Sequence, residues 1–201
     1  MDTAFYADQY REPSLSGRYI TLEHLEPLLQ RLPSGSVTTL GSSVQQQPIY
    51  AVTLGKGATR ILMWSQMHGN ESTTTKALFD FFNFLTSDEP RAKRWLEHFT
   101  LMCLPMLNPD GSRAYTRENA LGIDLNRDAQ ALTQPESRAL RSCFEQFEPH
   151  YCFNLHDQRT IYAVGETHQP ATVSFLAPAY NFEREINHTR LQAINIIAAM
   201  N

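Results

Sequence analysis

The sequence is poor in the features that mark several common protein classes. Its 201 residues include only three cysteines, an odd number without a CxxC pair. This argues against a disulfide scaffold or a cysteine-rich metal site and favours a reducing compartment. Runs of basic residues are missing and the formal net charge is −4. We therefore expect the protein to bind neither nucleic acids nor anionic membrane surfaces.

Long apolar segments are also missing. The apolar runs fall far short of the roughly 20 residues that a membrane span requires. The N-terminus, MDTAFYADQYREP, lacks a cationic segment followed by an apolar one. The sequence therefore predicts no secretory signal and a cytoplasmic location. With 42% hydrophobic and 19% charged residues, the chain has the composition and length of one globular domain with a packed core.

Hydrophobic periodicity predicts alternating strands and helices. The predicted strands are 49–54, 61–65, 99–104, 151–155, 160–164 and 172–177. The predicted helices are 21–32, 72–85, 90–98, 135–147 and 183–200, and the glycines and serines of 34–43 indicate a turn. Alternation of this kind predicts an α/β sheet with helices on both faces.

The last residues of the sequence lack the features that usually end a domain. The last predicted helix runs to the final residues with no capping glycine and no strand after it. We therefore expect residues 1–201 to be a single domain, present as its N-terminal portion and lacking a C-terminal part.

Two histidines and one glutamate stand where predicted strands end. His68 follows strand 61–65, Glu71 opens the next helix, and His156 directly follows strand 151–155. Ligands of open α/β sheets bind beyond the carboxyl ends of the strands. Two histidines and a glutamate form a ligand set for catalytic Zn²⁺ that leaves the fourth position to water. Alone, an HxxE pair is a weak indication, and His156 alone is more typical of a hydrogen-bonded core or surface histidine.

The polar segment between these residues makes the pattern specific. It runs from 108 to 134, and long ordered loops in compact domains tend to be functional. It contains Asn108-Pro-Asp-Gly, a turn-forming sequence, then Arg117-Glu-Asn, then Gly122-Ile-Asp-Leu-Asn-Arg. Together with HxxE and the later histidine, in this order from residue 68 to 156, these motifs resemble the M14 zinc carboxypeptidase family in its bacterial-type branch.

The resemblance implies that the domain is peptidase-like and catalytic, with a three-layer α/β sandwich and a mixed, largely parallel sheet. It also implies a hydrolase that removes C-terminal amino acids from peptides by attack of a metal-activated water. One Zn²⁺ per chain would be bound by His68, Glu71 and His156, and Asp124 would accept a hydrogen bond from the free ring nitrogen of His68. Such an outer carboxylate fixes the tautomer and orientation of a metal-bound histidine.

The same resemblance implies roles in substrate binding. Asn126 and Arg127 match the pair that holds the free C-terminal carboxylate of the substrate, and a planar guanidinium suits bidentate binding of that group. Arg117 matches the arginine that polarises the scissile carbonyl, where a donor typically contributes about 3–4 kcal/mol to lowering the barrier. Arg113 competes for this role, because the spacing between NPDG and the arginine varies.

Two departures keep other functions open. The HGNE sequence around Glu71 also resembles the succinylglutamate desuccinylase and aspartoacylase branch, so N-acyl amino acid deacylation on the same zinc is the alternative reaction. The family's catalytic glutamate lies well downstream of the last zinc ligand, and only 45 residues follow His156. We therefore expect the general base beyond residue 201. A non-catalytic module that binds peptides or carboxylates also stays open, and the sequence does not decide the oligomeric state.

Overall fold

The computed structural model describes residues 8–157, 163–171 and 173–200. The chain divides into two compact units after Asp157. Besides the helical residues 8–10, the described part of the first unit contains the helices α1 (Leu22–Leu29), α2 (Thr73–Leu85), α3 (Pro90–His98), α4 (Pro109–Ala114) and α5 (Pro135–Phe147). Its strands are β1 (Val37–Ser42), β2 (Pro48–Gly55), β3 (Thr59–Trp64), β4 (Phe99–Leu104) and β5 (Tyr151–Asn154).

The five strands form one mixed sheet in the order β1-β2-β4-β3-β5. β2 runs antiparallel to both of its neighbours, whereas β3 runs parallel to β4 and to β5. Successive side chains of a strand point to opposite faces of its sheet. Val52 and Leu54 of β2 accordingly pack with α1 and α2 on one face, while Ile49 and Ala51 pack with α5 on the other. This confirms the predicted α/β fold, with a mixed sheet and helices on both sides.

Apolar stripes on the helices hold these layers together. In α1, Leu25 and Leu28 are buried, and in α2, Leu78 and Phe82 are buried against the same cluster. Complete burial of one such side chain contributes about 1.5–3 kcal/mol. Packing of these stripes therefore fixes where α2 begins, and Glu71 lies two residues before the first residue of that helix, Thr73.

The register of the parallel strands determines where the site lies. Trp64, at the end of β3, pairs with Leu104 of β4 and with Asn154 of β5. The three strands therefore end level, and the loops that leave them start at one edge of the sheet. His68 lies four residues beyond Trp64 and His156 two residues beyond Asn154, so the topology brings the two histidines to the same edge.

Two elements of the first unit differ from the prediction. The segment predicted as a turn at 34–43 contains β1, which pairs antiparallel with β2, because Val37-Thr-Thr-Leu is rich in β-branched residues that suit an edge strand. The predicted turn at Asn108-Pro-Asp-Gly is instead the start of α4. The Asn108 side chain accepts a hydrogen bond from Gly111 N at 2.9 Å, and Pro109 occupies the first turn, both favourable at a helix N-terminus.

Where the structure describes it, the second unit contains irregular segments and one helix, α6 (His188–Met200). The strand predicted at 172–177 is wrong for residues 173–177, which are irregular and expose Val173, Phe175 and Leu176. A strand needs a hydrogen-bonded neighbour, and the alternation of apolar residues alone did not supply one. The strand predicted at 160–164 falls mostly outside the described residues.

α6 begins five residues later than predicted. Arg184 has a φ of 60°, and the Asn187 side chain accepts a hydrogen bond from Arg190 N at 2.9 Å, which caps the helix at this point. Neither α6 nor any other helix in the described ranges combines the length and apolarity that crossing a membrane requires.

Candidate metal centre

His68, Glu71 and His156 meet at the carboxyl edge of the parallel strands. Their ligand atoms all lie within 4.8 Å of one another, and within the described ranges they are the group of histidine, cysteine and acidic residues suited to a metal ion. The two Glu71 carboxylate oxygens lie 2.9 Å from His68 Nδ1 and 2.8 Å from His156 Nδ1. Ligand atoms around one tetrahedral Zn²⁺ stand about 3.3 Å apart, so this spacing and donor set suit a single small cation.

Two of the three predicted ligands are largely shielded from solvent, and Glu71 carries a full negative charge. The His68 side chain is 2% exposed and that of Glu71 13%, whereas that of His156 is 30% exposed. Burial alone would raise the pKa of Glu71, but hydrogen bonds from His156 and His68 outweigh it and lower that pKa to about 2. Glu71 is therefore ionised at neutral pH, which is the form that binds a cation.

Asp124 lies on the other side of the His68 ring. Its Oδ1 is 3.2 Å from His68 Nε2 and accepts a hydrogen bond from Asn126 N at 2.9 Å. Burial raises the pKa of Asp124, but the hydrogen bonds from Asn126, His68 and Arg117 lower it below its ordinary value. An ionised carboxylate at Nε2 favours the tautomer with its proton there, so the Nδ1 lone pair becomes available to a metal that takes the place of the proton between Nδ1 and Glu71.

Arg117 reaches the same cluster, whereas Arg113 is engaged elsewhere. Arg117 donates from Nε to Asp124 Oδ2 at 3.1 Å and from Nη1 to Glu71 Oε1 at 3.2 Å. Arg113 instead pairs with Glu23 and donates to Gln47 at the surface. Of the two arginines that the sequence left as candidates, Arg117 is the one beside the predicted ligands.

The segment after Asp124 presents a second guanidinium. Arg127 is exposed, and within the described part of the chain its guanidinium makes one long hydrogen bond, 3.4 Å from Nη1 to the Asn126 carbonyl, while its backbone N–H donates to the Asp124 carbonyl at 2.9 Å. The next residue anchors the segment: Asp128 is 4% exposed and accepts hydrogen bonds from the Thr133 hydroxyl and the backbone N–H groups of Thr133 and Gln134. These bonds lower the pKa of Asp128 to about 2, although burial opposes them.

Sequence reasoning missed the residue that organises this loop, Asn119. Its side chain is buried, with Oδ1 accepting hydrogen bonds from Leu121 N and Ile123 N at 3.1 Å each. Its Nδ2 donates to Gln134 at 2.8 Å and to Glu136 at 3.3 Å. Asn119 thus ties the Arg117 segment to α5. Asparagine side chains commonly accept hydrogen bonds from the backbone about two residues further on and so stabilise turns. The position of Asn119 between the Arg117 and Gly122 motifs was the sequence feature that could have pointed to this role.

Sequence reasoning also missed why glycine follows His68. A β-carbon on Gly69 would lie 2.0 Å from the Gly111 carbonyl carbon and 2.2 Å from Ser112 N. The ligand loop therefore packs backbone to backbone against α4, and that contact leaves no room for a side chain.

Comparisons with known proteins agree with this geometry. A family model described as zinc carboxypeptidase matches residues 21–198. A probable carboxypeptidase 2 of Arthroderma benhamiae is 28% identical over 113 residues, which cover 55% of this chain and 21% of that protein. The chain thus spans about a fifth of the length of the curated relatives it first matches.

Solved structures show the same fold. A metallo-carboxypeptidase from Burkholderia cenocepacia has a TM-score of 0.61 at 27% identity, covering 67% of this chain and 40% of that one. A murein-tripeptide amidase from Escherichia coli O157 has a TM-score of 0.51 at 17% identity, covering 64% of this chain and 62% of that one. At this identity the comparison shows a likeness of fold alone.

Proposed function

The chain belongs to the zinc carboxypeptidase family, and from this premise we propose that it forms the metal-binding part of a hydrolase that removes C-terminal amino acids from peptides. The observation that carries the proposal is the convergence of two imidazole Nδ1 atoms on the two oxygens of Glu71, with Arg117 3.2 Å from the same carboxylate. Three ligands of this kind and a neighbouring cation suit hydrolysis of a carbonyl compound.

Each residue of the site is assigned one task. His68, Glu71 and His156 would hold Zn²⁺, which supplies a bound water with a pKa near 7 and polarises a carbonyl. Asp124 keeps the His68 ring in the tautomer that presents Nδ1. Arg117, already within hydrogen-bond distance of Glu71 and Asp124, would donate to the carbonyl oxygen of the substrate as negative charge develops there.

Asn126 and Arg127 are assigned to the free carboxylate of the substrate. Arg127 is exposed at the end of the segment that Asp124 and Asp128 anchor, so its guanidinium is available to an incoming anion. The acids nearest the ligand cluster already have partners, since Asp124 binds His68 and Asp157 binds Thr73. We therefore assign the general base to none of them and keep the proposal that it lies beyond residue 201.

Arg127→Ala tests the assigned substrate class. We expect binding of an N-blocked dipeptide to weaken about 10–100-fold, because a hydrogen bond to a charged group contributes about 1.5–3 kcal/mol. The C-terminal amide of the same dipeptide should lose less than about threefold. Isothermal titration calorimetry on the zinc-loaded chain measures both affinities.

Arg113→Ala is the matched control, because this arginine pairs with Glu23 at the surface and should leave both affinities unchanged. Equal losses for the acid and the amide in Arg127→Ala would contradict the carboxylate role. If the chain bound N-acyl amino acids and ignored dipeptides, the deacylase alternative would replace the peptidase proposal.

A further inference from the structure

Asp157, the residue after His156, connects the two segments that carry the predicted metal ligands. Its carboxylate accepts hydrogen bonds from Thr73 N, at 3.0 and 3.1 Å, and from the Thr73 hydroxyl at 2.9 Å. Its own backbone N–H donates to Glu71 Oε2 at 3.3 Å. That oxygen is the one that faces His156 Nδ1.

The bond to Thr73 caps α2 from a distant part of the chain. Helix N-termini leave N–H groups unpaired and favour a negative charge, and the residue just before the helix usually supplies the cap. Here Ser72 precedes α2, but its hydroxyl donates to the Arg18 carbonyl at 2.7 Å. Asp157, 84 residues after Thr73, provides the carboxylate instead.

This link matters because His156 lies beyond the sheet. Leu155 N donates to the Trp64 carbonyl at 2.9 Å and so continues the pairing of β5 with β3. The next two residues are tied to Glu71 and Thr73. The position of the His156 ring relative to Glu71 therefore depends on the contacts between the 156–157 segment and the start of α2.

We propose that Asp157 is a positioning residue for the metal centre, which fixes His156 against Glu71 by clamping its own segment to the first turn of α2. This inference rests on the zinc site proposed above and adds a residue that touches no metal. Groups that orient metal ligands typically change metal affinity by about 10–100-fold when they are removed.

The test compares zinc affinity in Asp157→Ala, Asp157→Asn and Thr73→Val with that of the unmodified 201-residue chain, by competition with a chromophoric chelator. We expect a loss of about 10–100-fold for Asp157→Ala. Asp157→Asn and Thr73→Val each keep part of the link and should lose less. The visible absorption of Co²⁺-loaded Asp157→Ala should also change in position and intensity, because the histidine ligand is displaced.

A matched control separates this role from general helix capping. Glu89 is the acidic cap of α3, accepting a hydrogen bond from Arg91 N at 3.4 Å. Glu89→Ala removes an equivalent cap away from the ligands, so it should leave zinc affinity and the Co²⁺ spectrum unchanged.

The failure of this inference is distinguishable from the failure of the proposed function. Stoichiometric zinc binding by the unmodified chain, together with unchanged affinity and an unchanged Co²⁺ spectrum in Asp157→Ala, overturns the role of Asp157 and leaves the zinc site standing. If circular dichroism shows that Asp157→Ala does not fold, unchanged affinity in both Asp157→Asn and Thr73→Val overturns it equally. A folded unmodified chain that binds no zinc overturns both proposals.

Discussion

His68→Ala should abolish stoichiometric zinc binding by this chain. His68 supplies one of the three converging ligand atoms, and its ring is held between Glu71 at 2.9 Å and Asp124 at 3.2 Å. Loss of a direct ligand should weaken zinc binding by at least about 1,000-fold, more than the 10–100-fold typical of an outer partner. Metal analysis after dialysis should give about one zinc for the unmodified chain and less than a tenth of one for the variant.

His98→Ala is the matched control for this experiment. His98 ends α3 and is exposed, so its loss removes an imidazole from the chain without changing the ligand cluster. The control should keep full zinc occupancy. Retention of stoichiometric zinc by a folded His68→Ala protein would contradict the ligand assignment.

Gly69→Ala should damage both the fold and the metal centre. The added β-carbon would meet backbone atoms of Gly111 and Ser112 at 2.0 and 2.2 Å. Backbone cannot rotate away as a side chain can, so α4 and the ligand loop must separate. Overpacking of this kind typically costs about 1–3 kcal/mol and occasionally more. Urea denaturation should show the loss of stability, and chelator competition should show weaker zinc binding, because His68 and Glu71 flank the displaced residue.

Gly41→Ala adds the same methyl group where there is space. Its β-carbon would lie 3.5 Å from the Ala139 β-carbon, an ordinary van der Waals contact. This control should bind zinc with unchanged affinity. A Gly69→Ala protein with the stability and the zinc affinity of the unmodified chain would show that the close approach of the ligand loop to α4 is not required.

The central part of the fold was predictable because its signals are local. Apolar runs in the sequence predicted four of the strands, and helical periodicity predicted three of the helices, with bounds close to those observed. These elements are β2, β3, β4, β5, α2, α3 and α5. The positions of His68 and His156 after two strands predicted a shared edge, and the parallel register of β3 and β5 produces one. The strand-end positions therefore predicted that His156 would meet His68 and Glu71 at one edge, and the motifs between residues 108 and 134 made that prediction specific.

The remaining features depend on contacts between distant segments, which no local pattern encodes. β1 has β-branched residues that suit a strand, but glycines and serines surround them and only the pairing with β2 makes the segment a strand. Residues 173–177 are irregular although their sequence resembles a strand. Asn119 and Asp157 likewise look like ordinary loop residues in the sequence. Their importance lies in partners such as Glu136 and Thr73, which only the folded chain brings within reach.

X-ray absorption at the zinc K-edge of the zinc-loaded chain identifies the atoms that bind the ion. We expect a first shell of nitrogen and oxygen atoms at about 2.0–2.2 Å and the outer-shell scattering of two imidazole rings. Scattering from sulfur at about 2.3 Å, or a shell without imidazole, would contradict it. Either result would place the ion away from His68, Glu71 and His156.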